Sequence, residues 1–228
     1  SRSVAPRATD RSVTDRPRGL REAGTAASTV LEARHHAREL TLPLCRRAIR
    51  ECALAIRAVH RAEFEQARDH LAAAGEALAD AATATAEHPA VREAGYVHDA
   101  QKEFAEANLT LAFVAHTPVP AAADVHVEAP AYLNGMAEAA SELRRAVLDR
   151  LRDNDAAEAE HLFAVMEDVY EILVTVDYPD ALTGGLRRST DALRAVLERT
   201  RGDVTNAIVL GRFDASLQDR QHPERTPS

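Results

Sequence analysis

Apolar residues recur at steps of three and four along most of this chain, the spacing of one helix face, and alternating β-branched runs bounded by turn residues are missing. Phe64, Ala67, Leu71, Ala74 and Leu78 form one such stripe, predicting a helix that ends before His88 and Pro89. Ahead of it a helical pattern runs from about Leu20 to Arg61; Pro43 inside it predicts a kink or break near Leu42, or one long bent helix. A third helix is predicted from about Ala90 to Ala115, stopped by Pro118 and Pro120, with Phe104, Leu111 and Val114 on one stripe. A fourth, near Ala129 to Arg152, carries Met136, Ala140, Leu143, Val147 and Leu151 on its apolar face. The fifth, about Ala156 to Val176, is the most apolar and reads as core. Asp177 to Gly185 reads as a structured turn, because Pro179 fixes φ and Gly184 and Gly185 permit angles other residues resist. A sixth helix follows to about Arg201, where Gly202 ends it and Asp203 caps a short seventh through Val204, Ala207, Ile208 and Leu210.

Composition agrees with an all-α fold and narrows how it packs. Hydrophobic residues make up 46% of the 228, aromatics only 4%, with no tryptophan, so the core must be built from Ala, Leu and Val in closely packed helices. One helical domain over residues 19–215 is expected, with a disordered arm at 1–18 and a disordered tail at 216–228. The formal charge of -8 argues against a generic basic nucleic-acid binder, though not against a local basic channel. Positive charge is almost all arginine, Lys102 being the one lysine. Cys45 and Cys52 sit about 10 Å apart along one helix face at 1.5 Å per residue, too far for a disulfide, and read as reduced and buried. With no signal peptide and no apolar run of membrane length, the expected location is the cytoplasm. No internal repeat and no Walker, Rossmann, zinc-finger or triad motif is present.

The candidate chemistry lies in two acidic pairs set in otherwise apolar helices. Glu103 and Glu106 are three apart, Glu138 and Glu142 four apart, so each pair projects from one helix face. In a chain with 36 acidic residues most such doublets are merely solvated. Two pairs brought side by side would instead call for cations or protonation, and oxygen-only ligands suit magnesium or manganese acting on phosphates.

Four segments carry a resemblance: Gly95-Tyr-Val-His-Asp-Ala-Gln-Lys-Glu-Phe-Ala-Glu-Ala107, Ala131-Tyr-Leu-Asn-Gly-Met-Ala-Glu-Ala-Ala-Ser-Glu-Leu143, Asp177-Tyr-Pro-Asp-Ala-Leu-Thr-Gly-Gly-Leu-Arg-Arg188 and Glu198-Arg-Thr-Arg-Gly-Asp-Val204. In order and spacing, over roughly residues 20 to 212, the chain resembles the translin family, and its archaeal members above all. The resemblance implies a seven-helix fold, assembly into a hollow homo-octamer, and enclosed RNA. In the family's catalytic subunit, translin-associated factor X, a Glu-x-x-Glu and an Asp-x-x-x-Glu on successive helices form a magnesium-dependent ribonuclease centre. Those patterns fall on Glu103 with Glu106 and on Glu138 with Glu142; at Glu138 the factor carries aspartate, one methylene shorter.

The resemblance thus implies four catalytic metal ligands, Glu103, Glu106, Glu138 and Glu142, holding Mg2+ or Mn2+ for endoribonuclease cleavage that leaves a 5′ phosphate. His98 and Asp99, about one turn earlier, are candidates for supporting groups. Arg57, Arg61, Arg144, Arg145, Arg187 and Arg188 are candidates for RNA contact, clustered near the recognisable segments, although salt bridges are the commoner use of any one arginine. Recognition of single-stranded or end-exposed RNA through its backbone is expected, since no RRM, KH or aromatic stacking signature is present. The alternative is a noncatalytic RNA- or single-stranded-DNA-binding oligomer resembling translin itself. A metal-storing bundle is disfavoured, because its usual Glu-x-x-His pairs do not occur at the needed positions.

Overall fold

The computed structural model describes residues 19–221, and these form helices joined by short connections, with no strand among them. In chain order they are α1 (Leu20–His60), α2 (Phe64–Ala84), α3 (Pro89–Arg92), α4 (Gly95–Val114), α5 (Ala129–Arg152), α6 (Ala156–Val174), α7 (Asp180–Thr183) and α8 (Leu186–Gln221). The expected arm at 1–18 and residues 222–228 of the expected tail lie outside the described residues. No helix among the described residues is long and apolar enough to cross a membrane.

Helix α5 is the organising element, packing against α4, α6, α7 and α8, while α1 packs against α2 and α4. The core is rich in alanine: Ala48, Ala55 and Ala58 of α1, Ala67, Ala74 and Ala77 of α2, Ala105 and Ala107 of α4, and Ala137, Ala139 and Ala140 of α5 are buried. Small side chains at a crossing let helix backbones approach, which suits a chain with few aromatics. Larger groups, Leu109, Leu143, Leu162, Met166, Leu173 and Leu193, fill the space between α4, α5, α6 and α8. A second cluster of Cys45, Ala81, Val97 and Ala100 joins α1, α2 and the start of α4. Both cysteines are free and buried, as expected.

Of the two outcomes that Pro43 allowed, the first helix takes the unbroken one, running as one element from Leu20 to His60 with the proline ring at an exposed position. Two boundaries differ from the sequence expectation. The third predicted helix is divided: α3 is a single turn and α4 begins at Gly95 after an extended Ala94. The sixth and seventh predicted helices are instead one, α8, which passes through Gly202 and on beyond Ser216 to Gln221. Glycine inside a helix costs roughly 1 kcal/mol. Thr200 and Val204 on either side of it are both buried against the bundle, and that packing overrides the local preference. Asp203 is therefore not a helix cap; its carboxylate accepts an ion pair from Arg144, 2.8 Å away.

The turn between α6 and α8 forms as the sequence implies. Gly184 and Gly185 adopt φ of 62° and 85°, the left-handed region, and close the one-turn α7. Asn134, buried on α5, fixes this turn: its amide donates to the Thr183 carbonyl at 2.7 Å, and its oxygen accepts from Ser189 Oγ of α8 at 2.7 Å.

Candidate metal centre

The acidic pairs come together because α4 and α5 cross at a glycine. A Cβ built on Gly135 would lie 2.6 Å from the Lys102 carbonyl oxygen, 2.8 Å from Ala105 Cβ and 2.9 Å from the Glu106 amide nitrogen, so the two backbones are in direct contact there. Phe104, between the two glutamates of α4, is buried against α2, where a Cβ on Gly75 would meet its Cζ at 3.3 Å. With Phe104 turned toward α2, Glu103 and Glu106 face α5, and Glu138 stands one turn beyond the Gly135 contact.

Glu103, Glu106 and Glu138 then each place a carboxylate oxygen within 4.8 Å of the others, at half-buried positions. Three hard oxygen donors at that separation suit a small divalent cation. A cation already lies among them: Lys102 Nζ donates to Glu138 Oε1 at 2.8 Å and is 3.6 Å from Glu103 Oε1. The donor set thus fits a divalent cation, with the ammonium standing where positive charge is wanted.

The electrostatics report the crowding. Burial, then the charges of Glu103, Glu138 and Glu142, push the Glu106 carboxyl up to about 8 against the easing effect of Lys102. Burial also raises Glu103, opposed by Lys102 and reinforced by Glu138. Burial works against the Lys102 charge, but its bond to Glu138 and the surrounding carboxylates outweigh this and raise its pKa. Cys52 of α1 backs the cluster; burial first, then the charges of Glu103, Glu106 and Glu51, raise its thiol pKa.

Glu142 is drawn aside. Its Oε1 is 2.5 Å from Nε2 of His60, the last residue of α1, whose side chain is only 3% exposed. Sequence spacing gave no sign of this partner, 82 residues away. Lys102 did leave a signal, as the single lysine beside a candidate ligand. His98 packs against the Gly184 turn, where a Cβ would come within 3.0 Å of its Cε1 and Nε2, and makes no hydrogen bond to the four glutamates. Asp99 is near enough to raise Glu103 slightly.

The arginines divide into two groups. Arg144 is bound to Thr200 Oγ1 at 2.9 Å and to Asp203, and Arg61 is bound to Glu63 at 2.6 Å. Arg57, Arg145, Arg187 and Arg188 are exposed and form no ion pair among the described residues. A groove of about 490 Å³ lined by Leu71, Gly75, Leu78, Phe104, Leu111 and Val125 contains none of the glutamates.

Comparison with known proteins gives a consistent answer. No family model matches this chain. It is 32% identical over 190 residues to an uncharacterized protein of Methanocaldococcus jannaschii, covering 82% of this chain and 81% of that one. The crystal structure of AfC3PO is similar at 31% identity and a TM-score of 0.75, over 82% of this chain and 98% of AfC3PO. AfC3PO in complex with duplex RNA gives 31% identity and a TM-score of 0.73, over 82% of this chain and 97% of that one. Apo-NeC3PO shares the fold at 14% identity, with a TM-score of 0.66 over 84% of this chain and 98% of NeC3PO.

Proposed function

This chain belongs to the translin family, and on that footing we propose that it is an RNA-binding, metal-dependent endoribonuclease working as a homo-oligomer. The observation that carries the reading is the trio of glutamates from two helices, within 4.8 Å of one another and already drawing in a cation. The likeness to AfC3PO bound to duplex RNA supports the nucleic-acid part.

Glu103, Glu106 and Glu138 would hold Mg2+ or Mn2+, which supplies activation of water and polarisation of a phosphoryl oxygen. The chain's own contribution is placement. The Gly135 crossing sets the distance between the two helices, and the buried Phe104 fixes the rotation of α4. His60 orients Glu142 at the edge of the cluster, from which its carboxylate can turn inward or stay back. Exposed Arg57, Arg145, Arg187 and Arg188 offer forked donors to phosphates, which position RNA without reading its bases. The oligomer, an octamer in this reading, is supported by exposed apolar side chains on α1 (Val30, Leu31, Leu40) and around α6 to α8 (Ile172, Val174, Leu182, Val209, Leu210).

Incubation with labelled single-stranded and duplex RNA, with Mg2+, Mn2+ or chelator, tests the reading. Cleavage that needs the metal and disappears in the Glu103→Ala, Glu106→Ala double variant is expected; cleavage retained by that variant would remove the site. Native mass measurement tests the octamer, and a stable monomer would exclude an enclosing shell. A second reading, noncatalytic binding of RNA or single-stranded DNA, is favoured by one arrangement: Lys102 occupies the cluster while Glu142 is engaged by His60. RNA binding without cleavage in any metal would select it.

A further inference from the structure

We propose that Lys102 is the resident counter-cation of the carboxylate cluster, exchanged for a divalent ion when one enters, and that it sets which cations the site accepts. This deepens the metal reading of the cluster and rests on it.

Of the 28 lysines and arginines in the chain, Lys102 alone is a lysine, and it stands between the acidic pairs. It precedes Glu103 on α4 yet reaches across to Glu138 on α5, and it is 21% exposed. The chemistry of this residue matters. Arginine would grip carboxylates through a rigid two-point fork, whereas an ammonium is a compact charge on a flexible four-carbon stem. Lys102 holds one carboxylate oxygen at hydrogen-bond distance, an attachment that a single torsional swing releases.

The exchange follows from charge. Three carboxylates with oxygens within 4.8 Å carry up to three negative charges against one ammonium. Glu106, whose carboxylate lies in the same cluster, has no hydrogen bond from the lysine. A divalent ion brings twice the charge and can touch all three groups at once. A monovalent ion offers no more charge than the lysine and competes with a group tethered at millimolar or greater effective concentration. Lys102 therefore excludes sodium and potassium while yielding to Mg2+ or Mn2+, and it keeps α4 and α5 together when no metal is present.

The test is calorimetric titration of the metal-free full chain with Mn2+, in low and high NaCl, for the wild type and for Lys102→Met, Lys102→Gln, Lys102→Arg and Glu106→Gln. Removing the ammonium should tighten Mn2+ binding about tenfold in the Met variant, lower the melting temperature of the metal-free protein, and make Mn2+ binding more sensitive to sodium than in the wild type. Lys102→Arg should bind Mn2+ more weakly than the wild type. The Gln variant gives the same readout if the Met variant is insoluble. Wild-type binding that is lost in Glu106→Gln establishes the metal site independently. Unchanged or weaker Mn2+ affinity in the Met and Gln variants would then overturn the exchange alone. Absence of Mn2+ binding in every protein, the wild type included, would overturn the metal reading and this inference with it.

Discussion

His60 Nε2, at the end of α1, lies 2.5 Å from Glu142 Oε1 on α5, and this bond ties the first helix to the outermost carboxylate of the acidic set. The ring is almost wholly buried while Glu142 is one-third exposed. His60→Ala should therefore remove a hydrogen bond to a charged group and leave a void behind it. A loss of about 2 kcal/mol is expected, within the range for such bonds. Urea unfolding checks it, with His60→Gln recovering part of the loss; a variant as stable as the wild type would show that the pair contributes nothing.

Gly135→Ala strikes the other anchor of the site. The added methyl would come within 2.6 to 2.9 Å of two α4 backbone atoms and of Ala105 Cβ, none of which is a flexible side-chain end. The helices must separate, at a cost of about 2 kcal/mol or more. Because Glu138 rides on the same turn of α5, its distance from Glu103 and Glu106 should grow as well. Thermal unfolding and Mn2+ titration should deteriorate together, and wild-type affinity in a destabilised variant would separate the crossing from the site.

The Glu106 carboxyl sets a pH dependence in the metal-free protein. Its folded pKa of about 8 is above its ordinary 4.5, so between these values the native state holds a proton that the unfolded chain has released. Stability from this group is complete below about 4.5 and is lost as pH rises through about 8. The raised Glu103 acts in the same direction. Melting temperature without metal should therefore fall toward pH 8, less so in Glu106→Gln, and Mn2+ should restore it by favouring the ionised form. A flat profile in the wild type would show that the cluster is better compensated than its geometry indicates.

Much of this was legible in the chain. The three-and-four periodicity carries the all-α fold, and α2, α5 and α6 begin and end close to where their apolar stripes place them. Helical spacing puts Glu103 and Glu106 on one face, the resemblance alone set Glu138 beside them, and the close crossing at Gly135 is what brings the three together. What sequence could not supply were tertiary overrides. Gly202 looks like a helix end until Thr200 and Val204 are seen buried on both sides of it. His60 meets Glu142 through the packing of α1 on the bundle, a relation with no local pattern. Gly135 reads as a weak point in a helix, whereas contact with another backbone is its use.

Glu138→Asp tests the one position where this chain departs from the family's catalytic pattern. Aspartate withdraws the carboxylate by about 1.5 Å, the length of one carbon–carbon bond. Two consequences oppose each other. Lys102 loses its 2.8 Å partner, which should ease entry of a divalent ion, but an ion pair this exposed is worth at most about 1 kcal/mol. The shortened side chain also withdraws a ligand oxygen from a set whose oxygens now lie within 4.8 Å of one another, and magnesium requires its oxygens at about 2.0 to 2.1 Å. Displacing a ligand by most of that distance outweighs the relief, since even disturbing an outer partner of a metal site weakens binding about 10- to 100-fold. Mn2+ affinity measured by calorimetry should therefore fall roughly tenfold or more, with the metal-free melting temperature slightly reduced. Tighter binding in the aspartate variant would mean that the α4–α5 crossing is built for the shorter acid and that Glu138 must fold back on itself to reach the cluster.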